Sequence, residues 1–200
     1  MRLLSVFGVG LLALALGSVG SIEATADITG SDHDFSSETW TDQICIVCHT
    51  PHNADMAITD SPLWNHGVTT STFTPYDSPT LDATVAQPGG TSKLCLSCHD
   101  GTVAIDTFGT RTGTSMMTGD ANFGTDLTDD HPIGFGYNAA LVTADGELND
   151  PTATGLPLFG ATIDQLECAT CHDVHNADGF DSMLRVDNVG SALCLKCHDK

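Results

Sequence analysis

One pentapeptide pattern governs this sequence. Two cysteines separated by two residues and followed at once by histidine occur four times, at Cys45/Cys48/His49, Cys95/Cys98/His99, Cys168/Cys171/His172 and Cys194/Cys197/His198. The four copies use all eight cysteines. Pairs of this spacing also build zinc sites, redox disulfides and structural bridges, but none of those chemistries requires a histidine directly after the second cysteine. The pattern is that of c-type haem attachment. The two thiols add across the vinyl groups of one porphyrin, and the next residue offers a neutral imidazole nitrogen to the iron. Four covalently held haem c groups are expected, with His49, His99, His172 and His198 as proximal ligands.

The motifs come in two related pairs. Residues 45–55 (CIVCHTPHNAD) align with 168–178 (CATCHDVHNAD), and 92–100 (SKLCLSCHD) align with 191–199 (SALCLKCHD). A repeated two-haem unit is the simplest reading. Residues 27–115 form the first dihaem module and 116–200 the second, the two making one compact unit. The first carries the longer insert between its motifs.

Composition bounds what surrounds the haems. Aromatic residues make up 6% of the chain, against 20 Gly and 8 Pro, so long helices and a thick side-chain core are not expected. The expected fold is mostly irregular coil with short α-helices around the haem motifs, a haem-packed core and little or no β-sheet. A helix is predicted from near Thr39 or Thr41 through the first motif, ended by Pro51. Ser92 is placed as the N-cap of a helix over 93–99, and a helical turn or two over 137–145. Residues 103–108 read as one short strand, and 53–90, 109–130 and 146–159 as loop.

Each iron keeps one axial position, and five histidines remain outside the motifs: His33, His52, His66, His131 and His175. A second His favours low-spin, low-potential electron transfer, Met raises the potential, and an open position admits a small ligand. His52 and His175 lie at equivalent places, three residues beyond a motif His, where each suits a neighbouring haem. His33 and His131 each precede the first motif of a half. These four are the candidate distal ligands, and His66 is the possible alternative. Met56, Met116, Met117 and Met183 are the thioether alternatives. Asp129 and Asp130 match no calcium-loop spacing.

Residues 1–26 read as a cleaved signal peptide: Arg2, an apolar run from Leu3 to Gly20, then Ala24-Thr25-Ala26. The rival is a retained anchor, against which the shortness of the run argues. No Cys lies near the site to take a lipid. Export suits thiol–haem chemistry, and no stable membrane span is expected after processing. Loss of Arg2 and Glu23 with the signal leaves the net charge of −20 unchanged. Such a surface repels nucleic acid and anionic membranes, and favours basic redox partners, cations or mineral surfaces.

Beyond the motifs, the chain carries CHTPHNA (48–54), PLWNH (62–66), SKLCLSCHDGTVA (92–104), DHPIGF (130–135) and SALCLKCHDK (191–200). In these words it resembles the doubled-CXXCH multihaem cytochromes, and within them the secreted tetrahaem cytochromes that polymerise into extracellular nanowires. The resemblance implies closely stacked bis-His haems and a homopolymer in which one haem takes its distal His from the adjacent subunit. The donor would be His52, or else His33. It also implies redox cytochromes or extracellular acceptors as partners, and a cell-surface filament as the location. The same family holds periplasmic, non-polymeric members. Three functions are therefore set side by side: a filament for long-range electron transfer, a periplasmic shuttle, and a multihaem reductase with one open iron. Electron transfer without enzymatic turnover leads.

Overall fold

The computed structural model describes residues 28–176 and 178–199, so the signal expected at 1–26 lies outside them. Regular structure among these residues is sparse. It comprises α1 (Gly90–His99), α2 (Ala139–Asp145), α3 (Cys168–Cys171), α4 (Cys194–Cys197) and an antiparallel pair, β1 (Phe135–Gly136) with β2 (Gln165–Leu166). The rest is turn, bend and coil with short 3-10 segments. The chain is the mostly irregular fold with short helices that its composition implies, with the strand pair as its only sheet among the described residues.

Helix ends follow local chemistry. In α2, Asn138 accepts from the amides of Ala140 and Leu141 at 3.1 and 3.3 Å. Gly146 ends that helix at φ 77°, a conformation that favours glycine. At the end of α1 the chain turns through Gly101 at φ 69°, where a Cβ would meet the Asn122 amide at 2.5 Å.

Three local expectations are corrected. Ser92 is not the N-cap of α1, which begins earlier, at Gly90. Ser92 lies fully buried inside the helix, and its Oγ accepts from the amide of Cys168 at 2.9 Å. Residues 39–49 form turns rather than a helix, with a single helix-like bond, from the His49 amide to the Cys45 carbonyl at 2.9 Å. Residues 103–108 are not a strand. Their turns are held by Thr107 donating to Ala104, and by the Asp106 carboxylate, which accepts from Thr114, Ser115 and Arg111.

Two small apolar clusters lie between the motifs. Phe135, Tyr137, Leu141 and Leu166 form one. Phe73, Leu96 and Leu127 form the other, and Ile133 packs against both. The parts of the chain before and after residue 115 are laced together by backbone bonds from Thr74 to Thr125, Leu127 to Thr74 and Ala86 to Gly134. Helices α1 and α3 pack on one another, which sets the second and third motifs side by side.

Ser92 and Glu167 fasten that contact. The Ser92 amide donates to the Glu167 carboxylate at 3.3 Å while Ser92 Oγ receives the Cys168 amide. Burial pushes the Glu167 carboxyl above its usual range, against the hydrogen bonds from Ser92. Replacing Ser92 by Ala strands a buried amide, a loss of about 1–3 kcal/mol. The expected result is a lower Tm for the haem-loaded protein, by about 2–4 °C for each kcal/mol in a chain of this size. An unchanged melting curve would contradict it.

Candidate functional site

All eight cysteines are free, so none of the C-x-x-C pairs is closed as a disulfide. Burial pushes the thiol of Cys48 up to about 11, with Cys45 adding to it. Burial likewise pushes Cys98 up to about 12 and Cys171 to about 11, with neighbouring thiols contributing. The hydrogen bond that Cys95 donates to Cys168, together with burial, raises Cys95 well above its ordinary value. The thiols of different motifs are thus close neighbours. Among the described residues, no three His, Cys, Asp or Glu side chains converge as a metal-ion cage.

Each motif histidine is backed by a second segment of chain. After the first motif, Thr50 donates to the Leu63 carbonyl and Asn65 to that of Cys48, both at 2.9 Å. After the third, Asp173 donates to Met183 at 2.7 Å and Arg185 to Cys171 at 2.9 Å. The bridges His49–Trp64 and His172–Leu184 are therefore equivalent. Even the strain repeats, with positive φ at Asn53 and Leu63 in one half and at Asn176 and Met183 in the other.

These backing segments fix the imidazoles. His49 Nδ1 donates to the Pro62 carbonyl at 2.6 Å, His99 Nδ1 to Ala121 at 2.8 Å, and His172 Nδ1 to Ser182 at 2.9 Å. A carbonyl oxygen only accepts, so Nδ1 carries the proton and the neutral ring keeps its lone pair on Nε2. That is the orientation a metal-ligating histidine needs from its surroundings. The acceptors are backbone atoms, and no sequence signal pointed to them.

Three of the remaining histidines face motif histidines. His49 faces His175 with ring centres 6.1 Å apart and planes nearly parallel, at 13°. His33 faces His99 at 6.0 Å, and His131 faces His198 at 6.4 Å. Two imidazoles bound to opposite sides of one metal ion, at the usual bond length of about 2.0–2.1 Å, hold their ring centres about 6.3 Å apart. The three pairs fit an iron between them. Burial lowers the pKa of His33 and of His131, and the facing motif His lowers each further. Both are held as neutral imidazole, the ligating form. His33 Nδ1 is buried without a hydrogen-bond partner among the described residues.

His66 is placed differently. It is 3% exposed, and its Nδ1 and Nε2 lie 2.7 and 3.0 Å from the carbonyls of Gly67 and Ala104. Burial lowers the His66 pKa and favours the neutral ring, whose single N–H donates to one of these carbonyls. Neither His52 nor His172 faces a second imidazole among the described residues, and the His52 side chain is exposed.

Apolar cavities adjoin the later motifs. One of about 190 Å³ is lined by Pro75, Tyr76, His131, Ile133, Cys171 and His172. Another of about 330 Å³ is lined by His131, Phe135, Tyr137, Cys194, Cys197 and His198. Their mainly apolar lining, with imidazoles and attachment cysteines at the wall, is that of cofactor sites.

Residues 161–200 match the family model described as Doubled CXXCH motif, which takes in the third and fourth motifs. No curated protein matches the chain. Together with the motif geometry, the match supports a multihaem c-type cytochrome. Such a protein carries covalently bound haem c and takes part in electron transfer. Proteins of this class are typically exported, and no helix among the described residues is long and apolar enough to cross a membrane.

Proposed function

We propose that the chain is an exported tetrahaem cytochrome that polymerises head to tail into an extracellular filament for long-range electron transfer. Haem supplies the redox chemistry, and the polypeptide holds each iron between two imidazoles: His49 with His175, His99 with His33, His198 with His131, and His172 with His52 of the next copy. The observation that carries this reading is the pattern of pairing. Three pairs close within the chain, while His172 and the exposed His52 are left facing no imidazole among the described residues.

The repeat gives the leftover pair a geometry. Within the chain, the second half sends His175, three residues past its first motif, to the first motif histidine of the first half. His52 is the same position in the first half. Delivered to His172 of a neighbouring copy, it would repeat between chains the junction that already joins the halves within one. A contact of this kind joins two different surfaces, so it propagates as an open filament unless its rotation closes a ring.

Replacing His52 by Ala should convert filaments to single chains, seen by electron microscopy, and leave one high-spin haem per chain. Added imidazole should return that haem to low spin without restoring filaments. Wild-type protein that stays monomeric with four low-spin haems would instead be a shuttle. The open side of His172 also favours a second reading, a reductase. A monomeric wild type whose single open iron turns over a small oxidised substrate would establish it.

A further inference from the structure

We infer that an aromatic stack of Phe35, Trp40 and Phe108, based on the buried spare histidine His66, is the positioning device that seats His33 opposite His99. This rests on the ligand reading of His33 above. Among the described residues, every hydrogen bond made by residues 28–43 stays inside that segment. The segment therefore has no hydrogen bond that ties it to the body of the protein. What ties it are rings.

His33 meets Phe35 edge-on at 6.4 Å, Phe35 meets Trp40 at 5.6 Å, and Trp40 meets Phe108 at 5.9 Å. All three spacings lie in the range of favourable aromatic pairs. Only the last of these contacts reaches outside the segment, apart from His33 facing His99 itself.

Phe108 is a firm base because the turns carrying it are fixed to the segment that holds His66. Phe108 and His66 form an antiparallel bridge, Gly67 donates to the Thr107 carbonyl at 2.9 Å and Gly109 to that of Asn65 at 3.0 Å. The buried His66 ring adds the contact to Ala104. This gives the spare histidine a role: it holds the turn on which Trp40 rests. Trp40 fixes Phe35, and the short turn between Asp34 and Glu38 then presents His33. An axial ligand on a loop stays bound only as firmly as the loop is held, so loosening Trp40 opens an iron that Trp40 never touches.

The test uses haem-loaded protein and counts high-spin, carbon-monoxide-binding haem per chain. Trp40→Ala should add one such haem relative to wild type, as His33→Ala should, and exogenous imidazole should return both to low spin. Trp40→Phe, which keeps a ring in the stack, should behave as wild type. The Trp40→Ala/His33→Ala double variant should equal His33→Ala alone. A Trp40→Ala protein with no added open haem, or a double variant that opens more haem than His33→Ala, overturns the proposal. The second result would mean general loosening rather than an effect through His33. A His33→Ala protein with no added open haem overturns the ligand reading itself, and the positioning role with it.

Discussion

Without haem, this chain is expected to show no cooperative thermal transition. The preparation would be a variant with all eight cysteines replaced by serine, exported and purified as the wild type is, and followed by circular dichroism on heating. The expectation follows from how little the side chains bury among themselves. Among the described residues the core clusters hold four and three buried residues. Three large apolar side chains, Met56, Ile163 and Val189, lie more than half exposed. A chain of this size ordinarily buries well over half of the surface it exposes when unfolded, and the apolar share of that burial is what offsets conformational entropy. Here the apolar cavities adjoin the third and fourth attachment motifs, so the missing surface is that of the porphyrins. At ~25 cal/mol per Å² each buried macrocycle contributes several kcal/mol, which makes haem attachment part of folding. A sharp, reversible melt of the cysteine-free protein would overturn this account.

The parts of this structure that sequence reveals are those fixed by local chemistry. The motifs name the cysteines expected to attach haem, and composition states that little regular structure will surround them. The helical turns expected at 137–145 appear as Ala139–Asp145 because Asn138 and Gly146 mark the ends in the sequence itself. Ser92 shows the limit. A serine ahead of an apolar run reads as a cap, yet its partner is the amide of Cys168, on another helix. The first motif makes only one turn, closed by His49 donating to Cys45, and the Asn65 segment that docks on it comes from outside the local sequence. Histidine pairing lies beyond sequence for the same reason. The repeat identifies His52 and His175 as equivalent, but only tertiary packing brings His175 to His49 and leaves His52 outside. Nor does anything near His66 in sequence distinguish a buried histidine lying between two backbone carbonyls from a haem ligand.

Methionine in place of His175 is expected to lift the potential of one haem clear of the others. Imidazole on both sides favours the oxidised iron, whereas a thioether opposite histidine favours the reduced one. Axial ligands command a span of roughly 0.8 V, and one such exchange should move the affected haem upward by on the order of 0.1 V. His175 is the informative position because its ring faces His49 across the junction between the halves. Its Nδ1 also lies 3.6 Å from the Asp173 carboxylate. In a one-electron couple, 59 mV is a factor of ten in the equilibrium constant. A 0.1 V step therefore holds an electron on that haem roughly fifty times longer than its neighbours would. Potentiometric titration should resolve one high-potential wave in His175→Met, and conduction along assembled protein should fall by a similar factor. Unaltered potentials in His175→Met would mean that His175 ligates no iron. The within-chain junction, and the filament contact that repeats it between copies, would then both be wrong.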